Sequence, residues 1–180
     1  MTTIGFVGGL RYFEINKAII RSFANSQTHQ LLFAGKKHPG CDLERFCHEH
    51  GIKNVVFLPA YSNEEKPRIY EQITVINSVY GSGSLEVITA LPNKLYDAVL
   101  YKKPIIVSSS TYLEKVVMKY NLGFSVDIGK DNIKLLLDNY LEDFDNEIFL
   151  DGCKRYLSIV RAEKQMALER MNAFIVSMKC

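Results

Sequence analysis

The stretch Ala90-Leu91-Pro92-Asn93-Lys94-Leu95-Tyr96-Asp97-Ala98-Val99-Leu100-Tyr101-Lys102-Lys103-Pro104-Ile105-Ile106-Val107-Ser108 decides the fold. It reads as a loop, a helix of two turns with polar groups at its start, a tight turn and a buried strand. Pro92 suits the first turn of a helix, because its fixed backbone angle fits and its missing N–H is not needed there. Asn93 and Lys94 then lie at the end where the helix dipole favours anions. Asp97, three residues after Lys94, shares its face. In an α/β fold this order brings a helix N-terminus, a lysine and a carboxylate to the carboxyl edge of the sheet, where such folds bind nucleotides.

Outward from that stretch, short apolar runs alternate with segments of helical period. Ile4–Val7, Leu31–Ala34, Val55–Leu58, Thr74–Asn77, Ile105–Val107 and Phe124–Val126 read as strands. Between them lie the helical stripes of Ile15, Ala18, Ile19 and Phe23; of Leu43, Phe46 and Cys47; and of Leu113, Val116, Val117 and Tyr120. A short helix is expected around Glu64–Gln72, and another carries Ile133, Leu136, Leu137 and Tyr140. The prediction is an α/β, doubly wound, Rossmann-like parallel sheet of about six strands with a C-terminal helical extension. The core spans residues 1–145 and the C-terminal helices 146–180. Ser78–Pro92 reads as a long functional or mobile loop. The chain enters its first strand directly after Met1-Thr2-Thr3, as a natural small domain or a piece of a longer protein would.

Composition narrows the function classes. The chain has 180 residues, 47% hydrophobic and 23% charged, which suits one domain with a substantial core. Its net charge of +2, with both signs interspersed, leaves no electrostatic footprint for nucleic acid. Cys41, Cys47, Cys153 and Cys180 show no framework spacing, which favours reduced thiols in a cytosol. No apolar run approaches the roughly 18 residues of a membrane span; peripheral contact with a membrane stays open. His48 and His50 stand two apart on one helix and cannot form an i, i+4 metal pair, so no metal site is expected. Neither a Ser–His–Asp arrangement nor a Gly-x-Ser-x-Gly elbow is present, and no catalytic residue is assigned.

Other candidate ligand contacts lie at the ends of the first three strands. Gly8 and Gly9 permit close approach of a ligand to backbone, and Arg11 beside them suits a diphosphate. Lys36, after Gly35, closes the second strand at the same edge, and Tyr61 follows the third. The turn is neither a Walker loop nor a Gly-x-Gly-x-x-Gly fingerprint.

These motifs resemble the C-terminal, donor-binding domain of GT-B glycosyltransferases of the group 1, family 4-like type found in bacterial capsular or surface-polysaccharide clusters. The carriers are the Pro92-Asn93-Lys94 start, Asp97 three residues on, the closing Pro104 before an apolar strand, and the first glycine turn. The resemblance covers Ile4 to about Val126 and, more loosely, the C-terminal helices. It implies a nucleoside-diphosphate sugar as substrate, no metal or other cofactor, a cytoplasmic location, at most peripheral at the inner membrane, and a separate N-terminal acceptor-binding domain. Gly8, Gly9 and Arg11 would meet the diphosphate, Lys94 would add positive charge, Asp97 would hold the ribose, and Lys36, Tyr61 and Asn93 would lie near the nucleotide. The last helix, with Met171, Phe174, Ile175 and Met178 as its apolar stripe, would cross back to the other domain. The chain departs from the pattern at Gly9 and Glu14, where arginine and lysine are common, and at Thr89, where a first glutamate would stand. Those departures keep two alternatives in play: a non-catalytic α/β interaction module, and half of a nucleotide-sugar 2-epimerase.

Overall fold

Six short apolar segments assemble into one sheet: β1 (Thr2–Val7), β2 (His29–Ala34), β3 (Val55–Leu58), β4 (Val75–Ser78), β5 (Ile105–Ser108) and β6 (Gly123–Val126). The computed structural model describes residues 1–178, of Val176 and Ser177 the backbone alone; Cys180 lies outside the described residues. The strand order is β3-β2-β1-β4-β5-β6 and every pairing is parallel. Strands buried on both sides carry continuous apolar runs rather than alternation, as Leu31-Leu32-Phe33-Ala34 does, with each residue no more than 2% exposed.

Successive side chains of a strand point to opposite faces, and each face has its own core. On one side α1 (Phe13–Ser22), α2 (Leu43–Glu49) and α7 (Ile133–Glu142) pack against Ile4, Phe6, Leu31, Phe33 and Ile106. On the other, α3 (Lys66–Glu71), α5 (Asn93–Tyr101), α6 (Tyr112–Lys119) and the start of α8 (Asn146–Ser177) cover Leu32, Ala34, Ile76, Ile105 and Val107. This is the doubly wound α/β architecture expected from the alternation of periods.

The structure corrects several details. Ser78–Pro92 is not wholly loop: α4 (Leu85–Thr89) lies in it, with the Ser84 side chain accepting the Val87 N–H at 3.4 Å. Pro92 is not in the first turn of α5. Its ψ of 155° is extended, so it is the N-cap and the helix begins at Asn93. The short helix expected over 64–72 is confined to Lys66–Glu71, and the fourth strand runs one residue later than 74–77. The C-terminal extension is one helix through Ser177, about 48 Å long at 1.5 Å per residue. Its first half docks through Phe149, Cys153 and Tyr156, whereas residues 161–175 are all exposed. Among the described residues no helix is long and apolar enough to cross a membrane.

Gly152 sets how closely α8 approaches the body. A Cβ there would fall well inside van der Waals contact of the Tyr120 carbonyl oxygen, at the end of α6. Alanine is favoured over glycine by about 1 kcal/mol in a helix interior. Gly152→Ala is nevertheless expected to lower stability by about 1–3 kcal/mol, because the wedge forces the backbone apart. Urea denaturation measures it, and a stabilised variant would show that α8 does not dock so tightly.

Candidate functional site

The strand order reverses at one place, between β1 and β4, and the site lies at the carboxyl ends of those two strands. Beyond β1 the chain continues beside the turn that follows β2. Gly8 N–H donates to the Ala34 carbonyl at 2.8 Å and Leu10 N–H to the Lys36 carbonyl at 2.9 Å. Two glycines make that approach feasible. Gly8 and Gly35 have φ of 140° and 141°, and a side chain on Gly35 would strike the Gly8 carbonyl. Tyr12 then caps α1 in a left-handed conformation (φ 57°, ψ 56°). Fully buried Asn16 donates its side-chain amide to the Arg11 carbonyl, which fixes the backbone while the Arg11 side chain stays exposed.

The opposite wall comes from α4 and α5. No side chain caps α5, and Pro92 and Asn93 line the cavity, so the positive end of the helix dipole opens onto it. Lys94 points down beneath Gly8. Its Nζ lies 3.7 Å from the centroid of the Phe6 ring and donates to Tyr80 Oη at 2.8 Å. A Cβ on Gly8 would come 3.3 Å from that nitrogen. Burial, with a lesser push from Lys66, lowers the Lys94 pKa to about 7, although Asp97 works the other way. Tyr80 is held in turn by its ring contacts with Phe6 and Tyr12, and Ser108 Oγ accepts the backbone N–H groups of Tyr80 and Gly81 at 2.9 and 2.8 Å.

Asp97 is 8% exposed and has both oxygens engaged. Oδ1 accepts from Lys66 Nζ and Oδ2 from Tyr70 Oη, each at 2.8 Å. Tyr70 is buried under it, stacked on Tyr101 with ring centroids 4.4 Å apart. Burial and then the neighbouring Asp97 charge push the Tyr70 phenol up, so it stays a protonated donor. Half-buried Tyr61 completes that side.

Together these residues enclose a cavity of about 360 Å³, lined by Gly8, Gly9, Arg11, Tyr61, Asn93, Lys94 and Asp97 among others. That volume lies in the range of small-ligand sites. Seven of the eight residues expected from sequence thus converge. Lys36 does not: it lines a separate cleft with Leu10, Phe57 and Pro59, beyond the Gly35 turn. Thr89, where a carboxylate was missing, donates its hydroxyl to the Leu85 carbonyl within α4, but Glu86 of the same helix lines the cavity. Sequence reasoning missed Lys66, Tyr70, Tyr80 and Ser108. Only Lys66, four residues before an apolar Tyr70 on one helix face, left any trace.

No family model matches the chain, and no curated protein matches it. Solved structures do. The chain superposes on the C-terminal domain of a glycosyl transferase group 1 family protein (LpcC) from Francisella tularensis with a TM-score of 0.61 and 15% identity, over 91% of this chain and 86% of that one. For HepE of Anabaena, solved in complex with UDP, the TM-score is 0.70 at 15% identity, over 94% and 48%. For the catalytic domain of cholesterol-α-glucosyltransferase from Helicobacter pylori it is 0.62 at 16%, over 86% and 98%. The fold is therefore that of the C-terminal domains of GT-B glycosyltransferases, and the chain spans about half the length of HepE.

Lys94 has a measurable consequence. Its pKa is about 7 in the folded chain against an ordinary 10.5, so between those values the unfolded chain binds more protons. This residue's contribution to stability therefore rises with pH across that window, and below about pH 7 the whole cost of burying the charge is carried. Lys94→Met is expected to gain most over wild type at about pH 6 and least at about pH 9. Urea denaturation at both pH values checks this; an unchanged difference would show that Lys94 does not titrate there.

Proposed function

We propose that this chain is the donor-binding part of a glycosyltransferase and takes a nucleoside-diphosphate sugar. The observation that carries the reading is the convergence of the Gly8-Gly9 turn, Arg11, Lys94 and the uncapped start of α5 on one cavity at the switch point of a GT-B-like sheet. Exposed backbone amides, a helix N-terminus and a guanidinium are the groups that hold a diphosphate. Arg11 would pair with it from above and Lys94 supply charge from below. Tyr61 offers a face for the base. Glu86, which lines the cavity, would accept hydroxyls of the sugar in the role Thr89 cannot fill.

Catalysis in such a site is electrostatic. The diphosphate leaves as negative charge gathers on it, and preformed donors stabilise that charge without a metal. The acceptor, and any base that activates it, would belong to an N-terminal domain. The exposed side chains of Met171 and Ile175 on α8, with Met178 just beyond it, form the surface that domain would cover. In this reading the whole protein acts at the cytoplasmic face of a bacterial membrane in polysaccharide assembly. One observation favours the alternative of a binding module without ligand: Glu14, in the position of an expected cation, is tied to Lys17 at 2.9 Å.

Titration calorimetry with UDP-, GDP-, ADP- and CMP-linked sugars separates the two. A donor at a hundredfold excess over its dissociation constant is expected to stabilise the chain by about 2.7 kcal/mol in denaturation. Arg11→Ala should weaken binding at least tenfold, in line with about 1.5–3 kcal/mol for a charged hydrogen bond. No heat with any donor would overturn the assignment in favour of the interaction module.

A further inference from the structure

The resemblance gives Asp97 to the ribose; its surroundings point to a further role. Both carboxylate oxygens are already engaged at 2.8 Å, one of them by the phenol of Tyr70, which is 1% exposed and clamped against Tyr101. The carboxylate is thus oriented from beneath by a rigid, buried donor. The partner above is different. Lys66 comes from α3, its side chain is 22% exposed, and it lines the same cavity as Gly8, Gly9 and Arg11. An ammonium has three N–H donors, and among the described residues Asp97 is the one partner that takes any of them. Two donors remain for a ligand.

We infer that Lys66 is a phosphate-contacting residue of this site and that Asp97 is a positioning residue acting through it. The inference rests on the proposed function and changes the division of labour within it. Lys94 is sealed under Gly8, 6% exposed, with its ammonium turned to Phe6 and Tyr80. Lys66 is the accessible lysine of the pair. Both ammoniums line one cavity, and like charges there repel one another. A bound phosphate relieves that repulsion, whereas a neutral ribose diol does not. A free lysine on a four-carbon stem would sample many rotamers; the Tyr70–Asp97 pair holds this one where the anion arrives.

Inorganic pyrophosphate, which has no ribose, discriminates between the two roles of Asp97. Wild type, Lys66→Met, Asp97→Asn and the double variant are titrated calorimetrically with pyrophosphate, and with uridine, guanosine and adenosine diphosphates. Each single variant is expected to weaken pyrophosphate and the preferred nucleotide alike, by about tenfold or more. The double variant should be no weaker than the weaker single, because both remove one contact. Lys66→Arg should restore most of the affinity, which a purely structural ion pair would not require. If Asp97→Asn weakens the nucleotide but leaves pyrophosphate unaffected, Asp97 meets the ribose and the inference fails while the proposed function stands. Unchanged nucleotide affinity in Lys66→Met overturns it too. A wild type that binds neither ligand overturns the proposed function and this inference together. Since Lys66 sits at the cavity rim, Lys66→Met keeps the test intact even where Asp97→Asn does not fold.

Discussion

A parallel strand cannot return to its neighbour without a crossover, and in a doubly wound sheet the strand order reverses at a switch point. Here it changes between β1 and β4, with β2 and β3 added on one side and β5 and β6 on the other. The loops leaving β1 and β4 therefore diverge to opposite faces and leave a crevice that no element fills. Everything in the site is a response to that gap. The Gly8 turn bends toward β2, where Gly35 gives way to it. The Tyr80 loop is tied toward β5 by the Ser108 hydroxyl. The crevice is held open by backbone hydrogen bonds on one side and a single serine on the other.

The floor of that crevice is unusual in its chemistry. Phe6 belongs to the core of one face, yet its ring receives the ammonium of Lys94. A lysine nearly out of solvent costs free energy unless something holds its proton or its charge is given up. Here Tyr80 supplies one acceptor and Phe6 the face of its ring, short of full solvation. The group is left on the margin between its two protonation states. On the proposed function, a bound anion would tip that balance toward the charged form. Conflict between local packing and local charge of this kind marks functional sites more often than stable cores.

How much of this could be read from the chain follows from where each partner lies. The sheet, its helices and the Asn93-Lys94-Asp97 face are written in local periodicity, within a few residues. The capping by Ser84 is equally local, but it is masked by the glycine–serine run of Gly81–Ser84, which reads as loop. Lys36 lines a separate cleft with Gly35, Phe57 and Pro59, so a shared sheet edge did not mean a shared cavity. Lys66 and Tyr70 meet Asp97 across 31 and 27 residues, and Ser108 meets the Tyr80 loop across 28 and 27. Pairings over that distance are fixed by how crossovers stack, and no spacing in the sequence encodes them.

Charges of both signs line the cavity, so it is not strongly basic. Arg11, Lys66, Lys94, Asp97 and Glu86 all line it, and the chain as a whole carries +2. Long-range attraction is therefore weak, and screening at physiological salt weakens it further. What the site offers an anion is position: a guanidinium held over a glycine turn, a helix end left uncapped, and a lysine fixed by a carboxylate that is itself fixed by a buried phenol. On the proposed function, a dianionic diphosphate would find donors already arranged, and a neutral sugar attached to it would find Glu86 rather than more cations. Preorganised donors lose little further entropy on binding. On the proposed function, a near-neutral pocket would distinguish a diphosphate with a hydroxylated appendage from other anions by geometry, and Asp97 would belong to that geometry as much as to its charge.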